Sequence, residues 1–339
     1  MSETRNQLLG PLLKEVSRSF YLTLRVLPRK IRSQIGLAYL LARTTDTIAD
    51  TGLIPPERRL EALKSLKSRI SGQNQTPLDF TELARHQGTP AERILLEKCE
   101  SSLGLLQTLS PADLQLVREV LGIITSGQEL DLRKFGGASA DQIVALRTPE
   151  ELDDYTYRVA GCVGEFWTKT CLAHLFRNRG LNESYLLAKG VCFGQGLQLV
   201  NVLRDLPTDL RNGRCYIPAD QLAARGLTPA DLLKPENESR FRPIYDAWLE
   251  RAESHLFAGW SYTNALPRAS VRVRLACAWP IQIGLETIKL LRTNPVLDQQ
   301  KRVKVSRSHV KKLMLRSVLL FPFPAWRKLI RTSLNQSHQ

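Results

Sequence analysis

Along the chain, apolar residues recur every three or four positions far more often than they alternate, so helices are predicted almost throughout. Leu8, Leu9, Leu12, Leu13 and Val16 mark one face of a first helix. Residues 31–48 read as a long, mostly buried helix. Pro55-Pro56 opens another, with Leu60, Leu63, Leu66 and Ile70 on one face. The polar, Gly- and Pro-containing stretch 71–90 reads as a loop with a short turn of helix. Further helices fit 91–106, 110–128, 150–178 and 182–206, then 218–223, 229–233, 239–264, 269–293 and 306–317. Asn212-Gly213-Arg214 reads as a turn, and Pro322 and Pro324 break the last basic stretch. Strand-like alternation is nearly absent, and no repeat of fixed period appears. The expectation is one all-α domain over residues 1–300, followed by a basic segment over 301–339.

Composition narrows this little: 43% hydrophobic and 24% charged residues are ordinary for a soluble globular protein. The six cysteines are scattered singly with no CxxC pair, which argues against zinc or thioredoxin-like chemistry and for reduced thiols in a reducing compartment. The first residues carry no apolar signal core, and no run of about 18 uninterrupted apolar residues predicts a membrane-spanning helix. Charge is more telling. The formal net charge is +15, and residues 301–339 hold ten Lys/Arg with no Asp or Glu. An anionic partner is expected there: a phosphorylated small molecule, an anionic lipid surface or nucleic acid.

Two acidic clusters sit on apolar helices. Asp46-Thr47-Ile48-Ala49-Asp50 places two carboxylates at i and i+4, on one helix face, after the apolar run 35–42. Alone this means little, because chance gives roughly three such pairs among 33 acidic residues. The second cluster is more specific. Asn201, Asp205 and Asp209 form one stripe at the end of the apolar run 191–200, with Arg204 beside them. Read alone, that stripe fits a solvated acidic helix end as well as a metal site. Two interior carboxylates repel unless neutralised, and a hard divalent cation such as Mg²⁺ prefers carboxylate oxygens together with substrate phosphates. Two acidic pairs on apolar helices therefore suggest a metal-held diphosphate, whose departure leaves an allylic cation needing a long, dry, apolar cavity between helices.

Five ordered segments resemble the squalene/phytoene synthase family over almost the whole chain. They are Ser17-Arg18-Ser19-Phe20; Tyr39 through Asp50, like the first aspartate-rich motif; Tyr155-Thr156-Tyr157-Arg158-Val159-Ala160-Gly161-Cys162-Val163-Gly164; Gln198 through Asp209 with Gly213-Arg214-Cys215-Tyr216-Ile217-Pro218, like the second; and Val303-Lys304-Val305-Ser306-Arg307, like the basic NADPH-binding segment of squalene synthases. The resemblance implies the all-α isoprenoid-synthase fold, with the acidic motifs facing each other across a central apolar cavity. It implies Mg²⁺ on Asp46, Asp50, Asn201, Asp205 and Asp209. Ser17, Arg18, Ser19, Phe20, Tyr39, Arg43, Val159, Gly161, Gln198, Asn201, Arg204 and Arg214 would bind substrate. By the same resemblance, Tyr155 would lie near the proton transfer of the first half-reaction. A neutral phenol is a poor base, so released diphosphate is the alternative acceptor, with Tyr155 relaying. NADPH would be gripped by Lys304 and Arg307 with help from Arg302, since no GxGxxG follows a strand.

The implied activity is squalene synthesis: two farnesyl diphosphates joined head to head to presqualene diphosphate, then reduced by NADPH. A phytoene or dehydrosqualene synthase, which needs no NADPH, is the sibling reading. A catalytically silent member acting as a partner subunit is the reading from another class. Departures from the family pattern feed that last reading: Ala49 and Thr208 stand where acidic residues are common, and Pro207 separates Asp205 from Asp209. A proline there predicts that Asp209 lies just past the helix end. The tail has a second reading, because Leu313, Leu315, Val318, Leu319, Leu320, Phe321, Phe323 and Trp326 alternate with basic residues, as in a membrane-adsorbed segment. The expectation is a cytoplasmic protein peripheral to the membrane, a monomer or weak homo-oligomer. Nucleic acid is not an expected partner, since no recognisable binding motif accompanies the charge.

Overall fold

The computed structural model describes residues 2–17, 20–177, 179–298 and 303–330. Among these the chain is helical almost throughout, and only two short parallel strands, β1 (Val144–Ala145) and β2 (Arg214–Cys215), pair. The chain divides into two compact units, one of residues 1–137 and 166–179, the other of residues 138–165 and 180–339.

The first unit holds α1 (Ser2–Gln7), a π-helical turn (Leu8–Leu12), α2 (Leu13–Ser17), α3 (Tyr21–Val26), α4 (Arg29–Ala49), α5 (Pro56–Ser71), α6 (Thr81–Arg85), α7 (Pro90–Glu97), α8 (Cys99–Leu106) and α9 (Pro111–Phe135). Its core is α4, which packs on α5, α7, α8 and α9. Ile31, Leu40, Leu41 and Ile48 of α4 are fully buried, each worth roughly 1.5–3 kcal/mol against exposure. Pro56 begins α5 as expected, and Gly72 ends it at φ 83°, a left-handed conformation that suits glycine. The helix expected over 91–106 is interrupted for one residue at Lys98.

The second unit begins with β1 and α10 (Pro149–Thr156), followed by a π-helical turn (Tyr157–Gly161) and the first residues of α11 (Cys162–His174), whose remainder from Phe166 belongs to the first unit. One uninterrupted helix over 150–178 was the expectation; the chain instead widens into the π turn at the Val-Ala-Gly segment and leaves helix after His174. Then come α12 (Glu183–Arg211), β2, α13 (Ala219–Ala223), α14 (Glu238–Ala265), α15 (Val271–Thr293) and α16 (Arg307–Leu320). α12 is the core helix of this unit and packs on α14 and α15. By length and composition it could also cross a membrane, with a mean hydropathy of 1.3 over 18 residues. Here its Leu186, Leu199, Val200, Leu203 and Leu206 are buried against protein.

The described part of the basic segment, residues 303–330, packs on this unit through Ser317, Phe321 and Trp326. Gln282 Nε2 donates to Ser317 Oγ at 2.7 Å. Trp326 lies against Trp260 at 5.2 Å and donates to Asn264 Oδ1 at 3.0 Å. The Arg274 guanidinium sits over the Phe321 and Trp326 rings at 5.4 and 5.5 Å.

Candidate active site at two acidic helix ends

In the first unit, Asp46 and Asp50 close the C-terminal end of α4. Asp50 is the cap residue, and its N–H donates to the Asp46 carbonyl at 2.8 Å. The negative end of a helix is a poor place for carboxylates and a favourable one for cations. The end is held firmly: buried Arg59 donates from Nη1 to the Ala49 carbonyl at 2.6 Å, and Thr51 donates to the Thr47 carbonyl at 2.7 Å while accepting from Gln87 Nε2 at 2.8 Å. Ala49 is itself buried.

Burial, then the Asp50 carboxylate, push Asp46 up to about 7; Asp131 adds to the push, and Arg43 and Gln128 oppose it. The Asp46 side chain keeps 38% of its surface open, so solvent tempers both the burial and the like-charge contribution to this rise. Gln128 Nε2 of α9 donates to Asp46 Oδ1. Arg43 Nη1 lies 3.7 Å from Asp46, and its Nη2 donates to Glu92 at 2.5 Å, while its Nε is buried with no partner. Phe20 stacks on Tyr39 at 5.3 Å. Ser17 is buried and donates to its own helix, at the Leu13 carbonyl, at 2.5 Å. Arg18 and Ser19 lie outside the described residues.

In the second unit, Gln198, Asn201, Asp205 and Asp209 follow one stripe of α12. Asn201 Nδ2 donates to Gln198 Oε1 at 3.4 Å. Arg204 grips Asp205 with two donors, Nε at 3.0 Å and Nη2 at 2.5 Å, which raises the Arg204 pKa. The expectation for Asp209 is corrected: α12 runs through Pro207 to Arg211, so Asp209 lies inside its last turn. Proline removes one helical donor and leaves the rest of the ladder, and buried flanking residues Leu206 and Leu210 hold the helix beyond it. This pair too sits at the negative end of its helix.

Tyr155 is half-buried and stacks on Tyr216, which follows β2, at 4.7 Å. Arg214 lies in β2, paired with Val144. Val159 and Gly161 lie in the π turn, where a Cβ on Gly161 would stand 3.1 Å from Gln195 Cγ. Lys304 and Arg307 are exposed at the start of the tail, and Arg302 lies outside the described residues.

Among the described residues, no three His, Cys, Asp or Glu side chains gather closely enough to form a metal cage. Carboxylate pairs suffice for Mg²⁺, which keeps several waters and substrate phosphates in its shell. The raised Asp46 beside Asp50, at a helix end where positive charge is favoured, fits such an ion. Gln128, Asp131, Glu92 and Arg59 were not foreseen from sequence. Each lies on another helix, and only the capping pattern Thr89-x-x-Glu92, with the Thr89 hydroxyl accepting from the Glu92 N–H at 3.3 Å, left a trace in the sequence.

A family model described as squalene/phytoene synthase matches residues 13–309, most of the chain. The chain belongs to the squalene/phytoene synthase family. Members of this family are head-to-head prenyltransferases. The chain is 29% identical over 251 residues to a bifunctional lycopene cyclase/phytoene synthase of Colletotrichum graminicola, covering 72% of this chain and 39% of that protein. It is 26% identical over 292 residues to a squalene synthase of Saccharomyces cerevisiae, covering 84% and 61%. It is 31% identical over 256 residues to a presqualene diphosphate synthase of Rhodopseudomonas palustris, covering 75% and 77%. The chain thus spans less than two thirds of the length of the first two. The fold superposes on TcSQS, solved in complex with the ligand BPH1237, at a TM-score of 0.75 and 20% identity, over 99% of this chain and all of that one.

Proposed function

We propose that this family member joins two farnesyl diphosphates head to head and reduces presqualene diphosphate to squalene. The observation that carries the proposal is the placement of both acidic motifs at the C-terminal ends of apolar helices, where the helix dipole disfavours negative charge and favours a cation. Asp46 and Asp50 in one unit, and Asn201, Asp205 and Asp209 in the other, are the proposed Mg²⁺ ligands. Mg²⁺ bound there would draw charge from the diphosphate and make it a better leaving group. The orphaned Arg43 Nε offers a donor to a substrate oxygen, as do Arg204 and Arg214 by their charge. Ser17, Arg18, Ser19, Phe20, Tyr39, Val159, Gly161 and Gln198 are proposed to line the substrate. Tyr155, fixed by its stack on Tyr216, is proposed to relay the proton lost as the cyclopropane closes.

NADPH is proposed to lie against Lys304 and Arg307, which are exposed and carry positive charge. Farnesyl diphosphate, Mg²⁺ and enzyme should give squalene with NADPH and presqualene diphosphate without it, read by mass spectrometry of the extracted products. A C30 product identical with and without NADPH would favour the dehydrosqualene reading. Product unchanged by chelation with EDTA would remove the metal.

The protein is further proposed to work in the cytoplasm, peripheral to an anionic bilayer. Leu315, Leu319 and Phe323 are 61%, 60% and 59% exposed, and Val318 is 47% exposed. On α16 and just beyond it, these residues alternate with Lys311, Lys312, Arg316, Arg327 and Lys328. That pattern suits a lipid surface with anionic headgroups. Pelleting with vesicles of phosphatidylglycerol and phosphatidylcholine should fall about tenfold or more on changing Leu315, Leu319 and Phe323 to Glu, and should weaken with salt. Equal pelleting of parent and variant would sink this surface.

A further inference from the structure

Pro207 stands inside α12, midway between Asp205 and Asp209. It has no amide hydrogen, so the carbonyl of Leu203, four residues earlier, has lost its helical donor, and the proline ring crowds that same carbonyl. Leu203 is 1% exposed, which leaves its carbonyl little access to water. The donor comes from another helix of the same unit. Tyr245 of α14 places its hydroxyl 3.0 Å from the Leu203 oxygen. Tyr245 is itself fully buried, packed by Phe241 at 5.6 Å and by the Arg242 guanidinium over its ring at 5.5 Å. Burial pushes its phenol well above the ordinary value, so the proton stays on the hydroxyl and the group remains a donor.

Helices bend at prolines, and a bend between two residues four apart changes how their side chains converge. We propose that Tyr245 is a positioning residue for the second acidic motif, its hydroxyl holding the proline-containing turn so that Asp205 and Asp209 address one cation. This rests on the proposed metal role of those two carboxylates. Asp205 is two residues before the proline and Asp209 two after it, so any change in the bend is felt between them. The hydroxyl acts through the Leu203 carbonyl, one helical turn ahead of the proline.

The bond can be tested through the residue that creates the need for it. In Pro207→Ala the new N–H can supply Leu203, so the hydroxyl of Tyr245 loses its task. Tyr245→Phe should lower the Tm by about 2–5 °C in the parent and by less than half as much in Pro207→Ala. Mn²⁺ binding in the presence of inorganic pyrophosphate, followed by electron paramagnetic resonance, should weaken roughly tenfold in Tyr245→Phe, as for removal of an outer-shell partner. The same change in the Pro207→Ala background should alter it less than about twofold. Equal Tm losses in both backgrounds would overturn the inference. So would parent-like Mn²⁺ binding by Tyr245→Phe where Asp205→Asn binds weakly. If Asp205→Asn itself bound Mn²⁺ like the parent, the metal role of the motif would fail first, and the inference with it.

Discussion

Asp46→Asn should lower diphosphate release from farnesyl diphosphate about a thousandfold while raising the Tm. The two effects have one cause with opposite signs. Asp46 stands at the negative end of α4 with Asp50 one turn away and Asp131 contributing further negative charge, and burial together with these charges pushes its carboxyl up to about 7. In the absence of cation, that charge is a cost the fold carries, and the neutral amide removes it. In the proposed reaction, the same charge density is what a diphosphate-bound Mg²⁺ would require. Loss of one ligand is worth roughly 4 kcal/mol of transition-state stabilisation if metal polarisation supplies several kcal/mol, and each 1.36 kcal/mol is tenfold in rate. Gln128, which donates to Asp46 Oδ1, can still donate to the carbonyl oxygen of the substituted amide, so the helix end should keep its geometry. A coupled assay for released diphosphate and a thermal melt read the two sides. Activity within about tenfold of the parent would take Asp46 out of the ligand set, and a lowered Tm would show that its charge is satisfied by neighbours rather than frustrated.

What was legible in the sequence was periodicity and order. The long apolar runs placed both ends of α4 and the start of α12 within two residues, while α12 runs five residues past its expected end, and the ordered motifs pointed to the family that the family model matches. What was not legible came from partners distant along the chain. Gln128 meets Asp46 across 82 positions of sequence, and nothing local announces it. Arg43 looked like a phosphate ligand, yet one arm of its guanidinium is engaged by Glu92 from α7. Pro207 looked like a helix end because local chemistry says so; a tyrosine 42 residues away from Leu203 along the chain supplies the missing donor. The π turns were equally invisible, since a widened turn is stabilised by what packs on it rather than by the residues that form it.

Gly164→Ala should be the most damaging single methyl group in the second unit. A Cβ at Gly164 would stand 1.9 Å from the carbonyl oxygen of Gly190 and 2.5 Å from its carbon. The contact is reciprocal along the same pair of segments, since a Cβ at Gly194 would stand 2.1 Å from the Ala160 oxygen. These are backbone atoms of α12 and of the segment running from the π turn into α11, so no rotamer change relieves the clash. The helices must separate by about an ångström or more, which forfeits packing along their shared length. α12 would move with the stripe of Asn201, Asp205 and Asp209 that it carries. We expect a loss above about 4 kcal/mol, the exceptional class of point mutation, seen as insoluble expression or a collapsed Tm. Gly122→Ala is the contrast. It lies in the middle of α9, a Cβ there meets nothing within 4 Å, and alanine is the better helix former by about 1 kcal/mol. That variant should melt at or above the parent temperature. The glycines of the Val-Ala-Gly-x-Val-Gly motif would then owe their place to helix contact, whereas similar melting of both variants would mean that the two segments do not touch through Gly164 and Gly190.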